Sequence, residues 1–337
     1  MLKVALIGFG GVAQAAHLPA YRNLQEQGKA RLVAACDIDP QRFTKAMEIN
    51  IGGAQDGSSM DFHRYSDWEE MLACEEVDMV DVCLPTFLHA QTAVELLKRG
   101  YHVLSEKPMA LDYEQSMAMV EAANQAKGQL MIGQCLRFAS SYTFLKDAIE
   151  AGTFGKPLSA VFRRMSEPPI WGWDNWFMDY ERSRGCLLDM HIHDIDMIRF
   201  LFGEPDAVSC MTQDVYSRDD IAHSRLMYPD LSVLAIGDWS QEGTGFTADY
   251  RVAFEKATVV LDGEGVTVYP RGGEAYKPEL SEKSFYEAEI EFFMDLVKSG
   301  AANVINPPNS AATTVKLIDT LRESARSGGS VRPFKKA

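Results

Sequence analysis

Residues 3–13 read Lys-Val-Ala-Leu-Ile-Gly-Phe-Gly-Gly-Val-Ala, an apolar run that leads directly into a glycine-rich turn. The run at 3–7 is uninterrupted, as expected of a parallel strand covered on both faces. Residues 8–13 fit the pattern G-x-G-x-x-A, whose first glycine permits a tight turn and whose second lets the backbone approach a pyrophosphate. A helical stretch follows from about residue 11 to residue 23, which would place that pyrophosphate at a helix N-terminus. The predicted cofactor-binding residues of this turn are Gly8, Phe9, Gly10, Gly11 and Val12.

The segments that follow keep the same rhythm over the first third of the chain. Strand-like runs at 31–36, 77–84, 101–105 and 130–134 alternate with helix-like stretches. This alternation predicts βαβ units and therefore a doubly wound parallel sheet of the Rossmann type. After about residue 135 the strand-like runs come with turn residues and fewer helices, which predicts a second α/β domain with a large, mostly antiparallel open sheet. We place the domains at 1–125 and 126–305, followed by a C-terminal segment at 306–337.

Composition and charge limit the classes of partner. The length of 337 residues suits about two domains, and 33 basic against 48 acidic residues give a formal charge of −15. Such a surface repels phosphate backbones and anionic lipid, so we expect neither nucleic acid nor a membrane as partner. Glycines interrupt the apolar N-terminus where a signal peptide would need continuity. The six cysteines lack C-x-x-C spacing, so we expect a cytoplasmic protein with reduced thiols and no metal.

Asp37 closes the second predicted strand and indicates which cofactor the turn holds. An acidic side chain there accepts hydrogen bonds from both ribose hydroxyls of adenosine and repels a 2′-phosphate. The alternative is a turn or capping aspartate, because Asp39-Pro40 follows directly, and Arg42 is close enough to favour a phosphate. We therefore expect NAD as cofactor, with NADP left open as the alternative.

The end of the next predicted strand supplies candidate residues for the nicotinamide side. Leu84, Pro85 and Thr86 follow a strand whose carboxyl end would face the ligand crevice. His89 opens the next helix and is equally compatible with a cofactor contact and with a structural role.

The chain reads Glu106-Lys107-Pro108 where the next apolar strand ends. An ammonium beside the nicotinamide can hydrogen-bond a reacting oxygen and stabilise alkoxide charge as a hydride leaves its carbon. Lys107 is therefore the strongest catalytic candidate, and Glu106 is expected to orient Lys107 or the nicotinamide ribose. The alternative is a solvated ion pair on the surface.

A second group of candidates lies between Asp189 and Asp196. On one helix Asp189 and His193 are i and i+4 and share a face, which Asp196 extends, while His191 points about 160° away from His193. That angle disfavours a two-histidine metal site. A histidine can take a hydroxyl proton while a carboxylate holds the substrate. Trp176, with two tryptophans before it, suits either a sugar-binding wall or a core.

These motifs, in this order, resemble the Gfo/Idh/MocA oxidoreductases, a nicotinamide-dependent family that acts on sugars, polyols and their derivatives. The resemblance runs from Leu2 to Gly203 and includes His17-Leu-Pro19 and Arg137-Phe138. It implies hydride transfer with a carbohydrate-like substrate, with Lys107, His193 and Asp189 as catalytic residues and Trp176, Asp189, His191 and His193 as substrate-binding candidates. It also implies a homodimer or homotetramer joined through the second sheet, and a C-terminal segment that packs back on the nucleotide domain.

Departures from the family pattern fall near the expected substrate pocket. His191 replaces a more common glycine, and Ser183-Arg184-Gly185-Cys186 stands where glycines often cluster. Some members are NAD-dependent glycoside hydrolases with a transient oxidation, and others are non-catalytic regulators. The joint presence of Lys107, Asp189 and His193 argues against a regulator.

Overall fold

The computed structural model describes residues 1–44 and 60–334 and divides into two compact units. The first unit comprises residues 1–135, 170–176 and 283–312, and the second comprises residues 136–169, 177–282 and 313 onward. Each unit contains one sheet. In the described ranges, no helix combines the length and the apolar character needed to cross a membrane.

The first unit is built on a six-stranded sheet whose strands are all parallel. Its strands are β1 (Leu2–Ile7), β2 (Ala30–Cys36), β3 (His63–Tyr65), β4 (Met79–Val82), β5 (His102–Glu106) and β6 (Leu130–Gly133). The spatial order is β3-β2-β1-β4-β5-β6. The order reverses between β1 and β4, which is the switch point where doubly wound sheets bind their ligands. The predicted Rossmann sheet is confirmed.

Helices accompany this sheet and complete its core. They are α1 (Leu18–Glu26), α2 (Trp68–Cys74), α3 (Thr86–Lys98), α4 (Tyr113–Gln125) and, much later in the chain, α9 (Phe285–Ser299). Residues 11–26 are continuously helical, and a π-helical turn, Ala13–His17, lies between the first residues of this segment and α1. Pro19 follows the π-helical turn directly, and because it has no N–H it cannot donate the helical hydrogen bond to the Ala15 carbonyl. The helix is therefore locally irregular at Pro19 but is not ended by it.

Helix α9 belongs to the first unit, although the sequence-derived boundary at 305 places it in the second domain. Its side chains Ile290, Phe293 and Met294 are fully buried in the same cluster as β1 and α1 residues. The Glu287 carboxylate accepts hydrogen bonds from Asn23 at 2.9 Å and Gln27 at 3.1 Å. Periodicity predicts such a helix, but it does not indicate which sheet the helix covers.

The second unit is built on an eight-stranded sheet ordered β13-β12-β11-β7-β10-β9-β8-β14. The strands are β7 (Pro157–Met165), β8 (Ala207–Gln213), β9 (Ile221–Met227), β10 (Ser232–Asp238), β11 (Thr247–Phe254), β12 (Ala257–Asp262), β13 (Gly265–Pro270) and β14 (Arg332–Pro333). Only β7 and β10 pair in parallel among these strands. The predicted, mostly antiparallel sheet is therefore confirmed.

One face of this sheet is buried and the other carries exposed side chains. Phe162 and Val233 are fully buried, whereas Arg163 and Leu234, the next residues on the same two strands, are exposed. The unit's helices are α5 (Ser140–Glu150), α6 (Tyr180–Ser183), α7 (Gly185–Asp189) and α8 (Ile192–Phe202). A last helix, α10 (Pro308–Arg326), begins in the first unit and ends in the second.

Candidate active site

The glycine turn after β1 has the geometry that a dinucleotide requires. Gly8 has a φ of +91°, and a Cβ there would lie 2.6 Å from the carbonyl oxygen of Cys83, so only glycine fits. A Cβ on Gly10 would meet no described atom within 4 Å. The turn is thus packed against the end of β4 on one side and open at Gly10, where a pyrophosphate could approach the backbone.

Asp37 lies beside this turn and is held by the backbone. Its Oδ2 accepts a hydrogen bond from the Phe9 N–H at 2.8 Å, and its Oδ1 accepts one from the Asp39 N–H at 2.9 Å. Because an ionised carboxylate has about four acceptor positions, each oxygen retains capacity for a ribose hydroxyl. Arg42 forms an ion pair with Asp39, with 3.5 Å between Nε and Oδ2.

His89 ties together the loops at the ends of β4 and β5. Its ring is 1% exposed, with Nδ1 2.7 Å from the Pro108 carbonyl oxygen and Nε2 2.7 Å from the Leu84 carbonyl oxygen. Burial lowers the pKa of His89, although both carbonyls favour the protonated ring. Both ring nitrogens face backbone, so His89 fixes the loop that carries Leu84, Pro85 and Thr86. Its predicted cofactor contact stays a prediction.

Glu106 is the last residue of β5, and its carboxylate is buried rather than solvated. Its Oε2 accepts a hydrogen bond from the Lys107 N–H at 3.0 Å, and its Oε1 lies 2.9 Å from His17 Nε2. The Lys107–Pro108 peptide bond is cis, and Lys107 is half-buried. A solvated Glu106 at the surface, the alternative interpretation of this tripeptide, is therefore wrong.

His17 is a site residue to which sequence reasoning gave no role. Its fully buried ring places Nδ1 2.7 Å from Asp81 Oδ2, which also accepts a hydrogen bond from the Tyr21 hydroxyl at 2.7 Å. Burial alone would lower the pKa of His17, but the carboxylate of Asp81, followed by Cys83, raises it well above its ordinary value. The only sequence signal was the position of His17 in the motif after the glycine turn.

His17, Asp81 and Cys83 are the one described group whose ligand atoms lie close enough together to suggest a metal ion, all within 4.8 Å of one another. Tetrahedral bonds of 2.0–2.1 Å would separate two ligand atoms by about 3.3 Å. The 2.7 Å between His17 Nδ1 and Asp81 Oδ2 is instead a hydrogen-bond distance. These residues form a hydrogen-bonded cluster.

In the second unit, Asp189 and His193 do not share one helix, and this corrects the prediction. Asp189 ends α7, and α8 begins at Ile192. The N–H groups of Met190 and His191 both donate to the Cys186 carbonyl, at 3.1 and 2.9 Å, which breaks the helical register between them. The i, i+4 relation therefore does not apply. Both Asp189 and His193 are half-buried.

His191 is fully buried, although the sequence grouped it with the substrate-binding candidates. Its Nε2 lies 2.9 Å from the Ser224 hydroxyl, and a Cβ on Gly237 would lie 2.8 Å from its ring. Burial, followed by the charge of Arg164, lowers the pKa of His191 to about 3. The ring is neutral and packed against the sheet.

Two buried ion pairs hold α8 at the residues that follow His193. Arg164 contacts both oxygens of Asp194 at 3.1 Å, and Arg137 contacts both oxygens of Asp196 at 2.8 and 2.7 Å. Burial would raise the pKa of Asp196, but the Arg137 guanidinium lowers it below its usual value. Asp196 thus has a buried ionic partner rather than extending an open catalytic face. The sequence showed Arg137 in a motif but gave no sign of this pairing.

The tryptophan segment at 170–176 clusters with the first unit. Trp176 is 8% exposed and Trp173 is 38% exposed, and between them Asp174 and Asn175 adopt left-handed backbone angles. A substrate contact for Trp176 stays a prediction.

Comparisons with known proteins place the chain among oxidoreductases. Residues 2–134 match the model of an oxidoreductase family with an NAD-binding Rossmann fold, and residues 142–260 match the GFO/IDH/MocA C-terminal domain. The inositol 2-dehydrogenase of Rhizobium meliloti is 29% identical over 320 residues, which cover 89% of this chain and 90% of that protein. The myo-inositol 2-dehydrogenase of Thermotoga maritima is 32% identical over 206 residues, 60% of this chain and 55% of that protein.

A solved levoglucosan dehydrogenase, in complex with NADH and levoglucosan, has the same fold. It superposes with a TM-score of 0.82 at 19% identity and covers 98% of this chain and 99% of its own. The similarity to this structure therefore extends over both described units.

Proposed function

Because the chain belongs to the Gfo/Idh/MocA family of NAD-binding oxidoreductases, we propose that it transfers a hydride between NAD and a hydroxyl or carbonyl carbon of a sugar, polyol or sugar derivative. The names of the inositol and levoglucosan dehydrogenases support this substrate class. The observation that carries the proposal is the position of Glu106 and Lys107 at the carboxyl end of β5. In open α/β sheets, that edge borders the ligand crevice.

The residues of the first unit fit NAD. The open side of Gly10 admits a pyrophosphate, and the anchored carboxylate of Asp37 suits the adenosine ribose. When bound, the nicotinamide accepts or supplies the hydride. Leu84, Pro85 and Thr86 follow β4 at the adjacent strand end.

Each catalytic residue has a separate task in the proposed reaction. Lys107 Nζ donates a hydrogen bond to the reacting oxygen and stabilises its negative charge. In the second unit, His193 takes the hydroxyl proton as the alcohol becomes a carbonyl and returns it in the reverse direction. Asp189 binds substrate hydroxyls. We assign no substrate contact to His191, because its ring is fully buried.

The test is a screen for NADH fluorescence against a panel of polyols, sugars and sugar acids. Lys107→Ala should lower turnover roughly 10²–10³-fold, the scale for losing one electrostatic donor, with NAD affinity nearly unchanged. Lys98→Ala, at an exposed position of α3, is the matched control and should keep parental turnover. Parental activity in Lys107→Ala would contradict the assignment of Lys107.

The same panel separates the hydrolase alternative from a dehydrogenase. If the enzyme were an NAD-dependent glycoside hydrolase, a glycoside would yield free monosaccharide without net NADH accumulation. A dehydrogenase should instead produce NADH in proportion to the substrate oxidised.

We propose further that the protein is a cytoplasmic homodimer or homotetramer, with a nucleotide-binding N-terminal domain and a substrate-binding and dimerisation domain after it. In the described part of the chain, no cysteine forms a disulfide, which supports a reducing compartment. The exposed side chain of Leu234 on the open sheet face supports association through that face.

A further inference from the structure

A cluster of buried ionisable side chains lies directly behind Glu106 in the first unit. His17, Tyr21 and Asp81 are fully buried, and Glu106 is 6% exposed. His17 comes from the π-helical turn after the glycine motif, Tyr21 from α1, and the two carboxylates from β4 and β5. The elements that form the nucleotide-binding edge therefore meet at one imidazole ring.

The hydrogen-bond geometry around His17 suits a doubly protonated imidazolium ring between two ionised carboxylates. Nδ1 lies 2.7 Å from Asp81 Oδ2, and Nε2 lies 2.9 Å from Glu106 Oε1. A neutral imidazole has one N–H and can donate to only one carboxylate, whereas the imidazolium donates to both. Cys83 Sγ also lies 3.6 Å from His17 Nδ1 and 3.6 Å from Asp81 Oδ1. The ring of Tyr286 lies 5.7 Å from that of His17.

Glu106 connects this cluster to Lys107. Its Oε1 lies 2.9 Å from His17 Nε2, and its Oε2 accepts a hydrogen bond from the Lys107 N–H at 3.0 Å. The two contacts fix the carboxyl plane from opposite sides. Without the first, Glu106 could rotate about its side-chain bonds, and the backbone at Lys107 would lose a fixed acceptor.

We propose that His17 is a positioning residue that holds the Glu106 carboxylate between its own ring and the Lys107 backbone, and thereby fixes the direction in which the Lys107 side chain leaves β5. His17 acts through Glu106 and touches neither substrate nor cofactor. The inference rests on the proposed catalytic role of Lys107. If His17 served only core packing, substitutions on the Asp81 side of its ring and on the Glu106 side should change kcat equally.

Two substitutions in the same cluster separate these roles. His17→Gln keeps one donor but cannot bridge two carboxylates, so we expect kcat to fall roughly 10- to 100-fold, the scale for small misplacements of a catalytic group. The shift in Tm produced by NAD should persist. Tyr21→Phe is the matched control, since it removes a hydrogen bond to Asp81 and leaves Glu106 untouched, and its kcat should stay within about threefold of the parent. Equal losses in both variants, or parental kcat in His17→Gln, would overturn the inference.

A spectroscopic measurement keeps the inference testable if His17→Gln does not fold. In the parent protein with ¹⁵N-labelled histidine, His17 should show two ring N–H groups at pH 7.5, and Glu106→Gln should reduce the protonated fraction. A His17 ring without a proton on Nε2 in the parent would overturn the inference even in a fully active enzyme. Absence of NAD-linked turnover in the parent across the whole panel would instead overturn the proposed function, and the positioning role with it.

Discussion

Asp37 uses each carboxylate oxygen once to hold the backbone beside the glycine turn. A 2′-phosphate would place a second anion against this fixed charge, so NAD should raise the Tm more than NADP does. Asp37→Ser combined with Ile38→Arg should narrow or reverse that preference, because Ile38 is exposed and adjacent. Ile38→Arg alone isolates the effect of the added charge. Equal protection by both cofactors in the parent would contradict the assignment.

His191 and His193 are two residues apart but have different surroundings. In the parent, the rate of alcohol oxidation should fall on acidification, because a protonated base cannot accept the hydroxyl proton. His193→Asn should lower turnover and abolish this fall. His191→Asn should leave the fall in oxidation rate on acidification unchanged, since burial lowers the pKa of His191 to about 3 and the ring stays neutral in the assay range. The opposite pattern in the pH–rate profiles would contradict the catalytic assignment.

The same pKa makes His191 a determinant of acid stability. In the unfolded chain a histidine binds a proton near pH 6.5, whereas folded His191 does so only near pH 3. The unfolded state therefore takes up the extra proton, and the free energy of unfolding falls as pH drops from about 6.5 towards 3. His191→Asn should reduce this slope by up to about 1.4 kcal/mol per pH unit. Urea unfolding of both proteins at several pH values measures it.

At the scale of elements, α8 is held by ion pairs as well as by apolar packing. Arg137 and Asp196 are both nearly fully buried. Removal of one partner leaves a buried charge, so Arg137→Met should lower the free energy of unfolding by about 3–5 kcal/mol. The paired change Arg137→Met with Asp196→Leu should recover most of that loss.

The control for this pair is the more exposed ion pair between Arg163 and Asp249. Arg163→Met should cost less than about 1 kcal/mol, because such pairs are screened by solvent. If Arg137→Met and Arg163→Met lost the same free energy of unfolding in chemical unfolding, burial of the Arg137–Asp196 pair would contribute nothing to stability.

The elements also show how far the sequence predicts the site. The strand, glycine turn and helix at the N-terminus are local patterns, and the parallel sheet followed from the alternation of strand-like and helix-like segments. The contacts of His17 are not local, since its carboxylate partners lie 64 and 89 positions away. The break between α7 and α8 was missed for a related reason. Periodicity indicates a continuous helix there, but His191 packs against β9 and β10, which lie more than thirty positions further along the chain.

At the scale of the whole molecule, the proposed association through the open face of the second sheet can be tested at one residue. With a formal charge of −15, copies of the chain repel one another at long range, so association needs a local apolar contact. Leu234 is 47% exposed near the middle of that face, on β10. We therefore expect Leu234→Asp to shift the parent dimer or tetramer towards smaller species in light scattering, with its far-UV circular dichroism unchanged. Val304→Asp, at an 82% exposed position of the first unit, should leave the mass unchanged. A monomeric parent, or an oligomer that survives Leu234→Asp, would contradict association through this sheet face.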